Sequence, residues 1–598
     1  LALVDTTWYC SSVAYAAVTA RPQNTAVAAG VVRRQFTAPA VNSERCFVCI
    51  VAGTTANVTD ATWALTRGSK TTDGTSTWQE CTGQPAVNGD LTSTATWAQA
   101  KAVTPAVLGQ IIKRSNNASY QICTTAGAMS ASEPAFSDTA GVTTTDTTAV
   151  WTSLGPVSNF PAWGAPHARL ANAYATNWGA AGHRFYLADN HAETQATAMA
   201  LTSPATAAAG PTYAICVDRT AALPPVEANY NTGASISTTT TGSITFGSGG
   251  AITNHYYQGI TFTAGDSTNA AAINFSSSGN YSFKNCAFVV RGTSSSGLII
   301  LGPSLGTNPN NVFWDNCTVQ FAAVGQSISV RNIVFEWRNT PSAIAGATLP
   351  TVLFTTQSSG VPLMTCRGVD FSAFSGLLLQ NNTQASPPWV FEDCKFHASM
   401  TKYGTSTSGY WSQPVITVRC DSGATNYKAT RDEYAGAQST ETSITRVGGA
   451  TDGTTPQSEK IVTNAQATLL TPFRMLPLAI WNETTGADVT VTVYGTINAA
   501  SLPNNDEIWM DVQYLGSSGS PVASFKSTAK SHPLATGANV SSDGSAWNGG
   551  GSGAGWSPFK LVATLTSPQP QMKGFIYINV RAAKASATYY IEPLPTLS

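Results

Sequence analysis

Carboxylates are the residues of this sequence best placed to do chemistry. Asp315, Glu336, Asp370, Glu392, Asp393 and Asp421 fall in one stretch of the chain. Two carboxyl groups held about 5 to 9.5 Å apart can split a glycosidic bond, one as acid and the other as nucleophile or base. His183, His191 and Glu193 form a second cluster, of residue types that hold metal ions. His191 and Glu193 stand where the chain leaves a strand, and capping a turn is the simpler role, so neither a metal nor a cofactor is expected. Cys46 and Cys49 make a single Cys-x-x-Cys without the second pair that a structural zinc site needs. Trp547 and Trp556 bracket a glycine-rich loop, from which aromatic rings can either stack on sugars or tuck back over a sheet. No Walker-type Lys-Ser or Lys-Thr follows those glycines, so the loop is not read as a phosphate cradle.

What positions the carboxylates is a returning phrase: Ser243-Ile244-Thr245-Phe246, Gly259-Ile260-Thr261-Phe262, Asn285-Cys286-Ala287-Phe288, Asn316-Cys317-Thr318-Val319, Asn332-Ile333-Val334-Phe335, Gly368-Val369-Asp370-Phe371 and Asp393-Cys394-Lys395-Phe396. Apolar second and fourth residues give the period-two pattern of a strand with one buried face. The first residue is Gly, Asn or Asp in all copies but that of Ser243, and these types accept a positive φ. A kink followed by an in-out-in strand, repeated without helical periodicity, is what a coiling parallel sheet requires. Ile244, Ile260, Cys286, Cys317, Ile333, Val369 and Cys394 become the inward ladder, 16 to 36 residues apart, with insertions leaving as loops.

On these residues the stretch from about Gly164 to Asp421 resembles the right-handed parallel β-helix family, best known from pectate lyases and bacteriophage tailspikes. The resemblance implies a virion protein that often cuts host polysaccharide with carboxylates on the coil face or between subunits. Register sorts the candidates. Aligning Val369 on Cys394 puts Asp370 beside Lys395 and Arg367 beside Glu392, as cross-coil ion pairs. Asp393 takes the turn position that Asn holds elsewhere. Asp315, Glu336 and Asp421 remain as catalytic candidates.

Composition excludes other classes. Charged residues make up 11% of the chain, against about 25% in ordinary globular proteins. With 31 Lys and Arg against 32 Asp and Glu there is no basic surplus to bind nucleic acid. No apolar run reaches the length of a membrane span, so membrane insertion is not expected. Residues 1–20 are apolar but carry Asp5 and no basic leader, and are not read as a signal peptide. Eleven cysteines, an odd number, do not suggest a disulfide framework.

Ahead of the coil the chain duplicates itself. Phe47 to Gly53, Trp63, Gly68 and Thr71 to Trp78 match Tyr120 to Gly127, Phe136, Gly141 and Thr144 to Trp151, and Gly30 to Arg34 match Gly109 to Lys113. Two small β modules follow, at residues 21–83 and 97–155. Each has a turn at Asp73-Gly74 or Asp146-Thr147 that leads into a tryptophan, Trp78 or Trp151. Either ring can be a sugar platform or, as its place at the same point of a repeated strand favours, a core residue. Thr147 in place of Gly74 leaves the second turn type open. The module looks like one that recurs in tail fibres and other virion proteins of tailed phages.

The remaining expectations are a coil domain over 161–430, opened by a capping helix within Ala165 to Trp178, and a Thr- and Gly-rich linker over 431–455. Eight alternating strands over 456–598 suggest an antiparallel β-sandwich with jelly-roll topology possible. The chain thus reads as all-β. Resemblance implies a tail fibre or spike subunit on the virion surface, released by lysis. Its partners would be tail, neck or capsid proteins, sister chains in a homotrimer, and a host surface glycan. A capsid or neck decoration protein and a polysaccharide-depolymerising tailspike stand as alternatives.

Overall fold

In the computed structural model Asn285, Asn316, Asn339 and Asp393 have φ of 54, 54, 52 and 52°, and Gly259 and Gly368 have φ of 73 and 62°. These six residues stand at or directly beside the ends of parallel strands. The structure describes residues 7–102, 105–175, 182–202, 211–247, 253–275, 279–293, 298–302, 310–331, 333–356, 363–381, 389–397, 404–406, 415–418 and 420. Beyond these it describes 442–447, 458–463, 473–474, 478–482, 489–497, 508–516, 528–530, 540–541, 557–565, 574–582, 587–591 and 596–597. Contacts divide the chain into two compact units, Leu1–Gly297 with Phe313–Cys317, and Leu298–Val312 with Thr318–Ser598.

The first unit begins with a strand that belongs to its coil. Thr7–Cys10 pairs in parallel with Arg184–Ala188, and Thr212–Val217, Thr253–Gln258 and Gly279–Lys284 follow in the same sheet, sheet I. Sheet II stacks Ala192–Gln195, Ala234–Thr238, Ile260–Ala264 and Ala287–Val290. Sheet III stacks Met199–Leu201, Ile244–Phe246 and Ile273–Phe275. This is a parallel β-helix. Its interior is tiered by like residues: Phe246 lies 4.7 Å from Phe275 at 8°, and Tyr257 lies 5.0 Å from Phe283 at 11°. Such tiers keep register because a slip of one residue would turn every inward ring outward.

The expected ladder is divided among sheets. All seven residues are buried, and Ile260 stands opposite Ala234 just past a corner. Cys286, Cys317, Val369 and Cys394 also directly follow positive-φ residues. Ile244, however, lies in sheet III between Met199 and Ile273, and Ile333 opens a strand of a parallel sheet in the second unit. Ser243 has no positive φ. The apolar-polar-apolar phrase describes every strand of the coil, and only the left-handed residue marks the corner. Thr340, after Asn339, takes a corner position that the phrase missed.

A six-residue helix, Leu170–Ala175, falls within the expected capping segment. The Glu193 carboxylate accepts its Leu170 N–H at 2.7 Å, and Tyr174 packs edge-on against Phe185 at 5.1 Å. A second short helix, Ser12–Ala17, was not foreseen; its Ser12 N–H donates to His191 Nδ1 at 3.1 Å.

The duplicated region forms two four-stranded antiparallel sheets of the same topology. The first runs Val32–Arg34, Cys46–Val51, Ser76–Glu80, Lys70–Asp73, and the second Ile111–Lys113, Ser119–Thr125, Ala149–Pro156, Thr143–Asp146. Equivalent turns carry Gly74 at φ 64° and Thr147 at φ 58°, so the substitution leaves the conformation unchanged. Trp78 and Trp151 are core residues. The modules meet where a Cβ on Gly109 would stand 2.2 Å from the Cα of Gly68, a closeness only glycine allows.

The second unit repeats the coil with Ile333–Thr340, Leu363–Val369, Trp389–Glu392 and Val415–Val418 in one parallel sheet. A second parallel sheet holds Leu298–Leu301, Ser327–Val330, Val352–Thr356, Leu377–Asn381 and Gly404–Ser406. Two antiparallel sheets follow. One holds Thr442–Val447, Ser458–Thr463, Thr588–Ile591, Val489–Ile497 and Ser557–Leu565; the other holds Phe473–Arg474, Leu478–Asn482, Ile508–Gly516 and Gly574–Ala582. Val489, Val491 and Val493 are buried while Thr490, Thr492 and Tyr494 are partly exposed, the alternation of a sheet with one covered face. Thr442–Val447 lies in the stretch expected to be linker. Thr442, Ile444, Thr445 and Val447 are β-branched, which favours a strand, and the segment pairs antiparallel with Ser458–Thr463.

Candidate functional site

Two outward columns run along sheet I of the first unit. Arg184, Tyr213, Tyr256 and Ser282 stand opposite one another in successive coils, as do Tyr186, Ile215, Gln258 and Lys284. The Asn285 N–H donates to the Asp315 carbonyl at 2.9 Å, a parallel-sheet bond that sets Asp315 beside Lys284 and Phe313 beside Ser282. At one end Tyr186 and Ile215 are covered by Trp163, Leu223 and Tyr230. At the other end the face opens. Tyr213, Tyr256, Lys284 and Asp315 are half-buried, and Phe313 is 37% exposed.

The open face combines flat apolar area with fixed polar groups. The Tyr213 and Tyr256 rings lie 5.5 Å apart, and the Arg184 guanidinium sits 5.7 Å from the Tyr213 ring centre. The Tyr256 hydroxyl donates to Gln258 Oε1 at 2.8 Å. Burial pushes the Tyr256 hydroxyl up to about 12, helped by the charges of Asp315 and Glu227 among its neighbours. Rings that can stack, beside an amide, an ammonium and carboxylates, suit a polyhydroxylated ligand with a planar apolar face.

Sequence reasoning missed Tyr213, Tyr256 and Phe313. For Tyr256 and Phe313 the signal was available. Tyr256-Tyr257 and Phe313-Trp314 are adjacent aromatics on strands, so one of each pair must point out; Tyr257 and Trp314 are fully buried.

Of the catalytic candidates, Asp315 belongs to this face. Glu336 belongs to the second unit, where Arg367 lies between two carboxylates, its Nη1 3.9 Å from Glu336 Oε1 and its Nε 3.2 Å from Glu392 Oε2. Lys395 Nζ is 3.6 Å from Asp370 Oδ2, and the two residues bridge in register. Burial works upward on the Asp370 carboxyl, but the Ser372 hydroxyl and N–H and the Lys395 charge hold it below its usual value. Asp393 is the left-handed corner residue. Asp421, Trp547 and Trp556 lie outside the described residues.

The His-Glu cluster is occupied in structural contacts. His191 Nε2 is 3.3 Å from Glu193 Oε2, and His183 Nδ1 accepts from the Trp8 indole at 3.1 Å. Cys46 and Cys49 sit in different core clusters. Among the described residues no group of three or more His, Cys, Asp and Glu is arranged around a metal position, and no helix is long and apolar enough to cross a membrane.

No protein-family model and no curated protein matches the sequence. Among solved structures, the enzymatically active domain of tailspike protein 4 from bacteriophage CBA120 aligns over 93% of this chain and 84% of its own, at 11% identity and a TM-score of 0.27. The tailspike protein of Acinetobacter phage vB_ApiP_P1 aligns over 68% of this chain and 82% of its own, at 12% identity and a TM-score of 0.20. Scores of this size define no common superposition, and the parallel β-helix is defined by this chain's own sheets.

Proposed function

We propose that this chain is a structural subunit of a tailed-phage virion, a tail spike or fibre that attaches to a host surface glycan through sheet I of its first unit. One observation carries the reading: the open face of Tyr213, Tyr256 and Phe313 flanked by Gln258, Lys284 and Asp315. The duplicated N-terminal module, similar to modules of phage fibres, and the low charge content support it. The test is binding of the purified full chain to an array of bacterial surface polysaccharides. Binding of at least one polysaccharide is expected, with Tyr256→Ala and Phe313→Ala each lowering affinity at least tenfold while the chain stays folded by circular dichroism. Binding that survives both substitutions would move the glycan site elsewhere.

A second reading, cleavage of the bound glycan, is favoured by the placement of Asp315 beside Lys284 on this face. It predicts release of reducing ends that Asp315→Asn abolishes while binding persists. Binding without release of ends leaves the attachment reading alone.

A further inference from the structure

The two N-terminal modules share a topology but not a covering. In the second module the edge stretch Gly109–Lys113 is sealed by the chain that precedes it. Gln84 donates its side-chain amide to the Gly109 carbonyl at 3.0 Å, Lys113 Nζ donates to the Leu91 carbonyl at 2.8 Å, and Ala86 and Val87 pack with Ile111. Gln110, Ile111 and Ile112 are accordingly buried.

In the first module the equivalent stretch is Gly30–Arg34. Its backbone is set the same way, with Gly30 N–H donating to the Cys49 carbonyl at 2.8 Å as Gly109 does to Cys123 at 2.9 Å. Arg34, like Lys113, is held by the segment before it, through Thr19 and Ala20. Val31, Val32 and Arg33, however, are half-exposed. They line a groove of about 710 Å³ shared with Ala14, Ala17, Phe160 and Trp163.

The groove is preformed and carries a positive charge without an opposite one. Trp163 forms part of its wall with φ 59°, a conformation that a bulky side chain rarely keeps. It is held by an N–H donated to Asn88, an indole N–H donated to Arg219, and edge-on packing on Tyr9 at 5.2 Å. No Asp or Glu is among the lining residues. Arg33 donates from Nη1 to the Val32 carbonyl, while its Nε is buried without a hydrogen-bond partner. A desolvated donor of this kind costs stability until an acceptor arrives.

We infer that this groove docks a short peptide segment of a partner protein, with small apolar side chains against Val31, Val32 and Ala17 and a carboxylate on Arg33. The duplication supplies the argument for a peptide: residues 84–91 cover the equivalent edge of the second module within the chain, through Gln84, Ala86, Val87 and Leu91. Charge complementarity supplies the carboxylate. The inference is independent of glycan binding, which involves another face.

The test uses the purified full chain and a randomised library of blocked heptapeptides. Selected peptides are expected to share an Asp or Glu among small apolar residues. Arg33→Gln should weaken the best of them at least tenfold, as should replacing its acid by the amide. Ala17→Trp, an exposed helix position that fills the groove without touching charge, should abolish binding. Three results would each overturn the inference: selection without an acidic residue, affinity unchanged within twofold by Arg33→Gln or by Ala17→Trp, or free acetate competing as well as the peptide, which would mark a simple anion site. An unselective library would overturn it too.

Discussion

Asn316 donates its side-chain amide to Oδ1 of Asn285 at 2.8 Å, and both residues sit at φ 54°. One residue type thus does two things at the corner: it tolerates the left-handed backbone and it bonds to its copy in the next coil. Alanine can do neither. A left-handed L-residue costs roughly 1–2 kcal/mol, so Asn316→Ala is expected to lower the unfolding free energy by about that amount. Asn316→Gly should lose much less, since it forfeits the side-chain bond and keeps the backbone. Urea unfolding of both variants checks this; equal losses would show that the side-chain bond, not the φ, holds the corner.

The two modules anchor the same aspartate differently. In the first, Arg21 grips Asp73 through Nε at 2.7 Å and Nη2 at 2.6 Å, both side chains fully buried. In the second, Asp146 accepts the Trp97 indole N–H at 2.8 Å. Removing Asp73 strands a buried guanidinium, a loss of roughly 3–5 kcal/mol. Removing Asp146 strands neutral donors, a loss of about 1–3 kcal/mol. Asp73→Ala should therefore destabilise more than Asp146→Ala in calorimetric unfolding, and the reverse order would mean that Arg21 finds another partner.

Glu80 makes stability depend on pH. Burial pushes its carboxyl up to about 7, against the bonds from Thr82 and the charge of Arg45 that favour ionisation. Unfolding exposes the group and returns it toward 4.5. Because the folded value is raised, the contribution of Glu80 is fully present below the unfolded value and is lost as pH rises through about 7. Glu80→Gln keeps an acceptor for the Thr82 N–H and carries no charge. Its amide NH2 faces the Gly68 N–H that Glu80 Oε2 accepts at 3.3 Å, so the expected signature is in the pH dependence: relative to the parent the variant gains roughly 1–3 kcal/mol between pH 4.5 and pH 8. Unfolding midpoints of both forms across this range decide it.

The coil and its cross-coil pairs were legible because a parallel β-helix writes its register into the sequence. Once Val369 was set against Cys394, Arg367 had to meet Glu392 and Asp370 had to meet Lys395, and both pairs form. The duplication was legible for the same reason, down to Cys49 and Cys123, whose thiols each donate to the carbonyl two residues on at 3.2 Å. Which sheet a strand joins was not legible, as Ile244 and Ile333 show, because inward alternation is common to all three. Nor was Thr7–Cys10, whose partner Arg184–Ala188 lies beyond both modules. The outward columns of sheet I were obscured because outward residues follow no apolar pattern; only the paired aromatics at Tyr256 and Phe313 betray them.

The thiols give a last prediction. All eleven cysteines are free and buried, and burial pushes Cys49 and Cys123 up to about 11 while raising Cys10, Cys81 and Cys366 well above their ordinary value. The reactive species is the thiolate, and here both its formation and its exposure are suppressed. At pH 8 the folded chain is expected to show essentially no reaction with an aromatic disulfide reagent over the time in which the urea-unfolded chain titrates all eleven thiols. Any slow reaction should track local opening, and denaturant below the unfolding transition should speed it. A native cysteine that reacts as fast as a free thiol would place that part of the chain outside the packed interior.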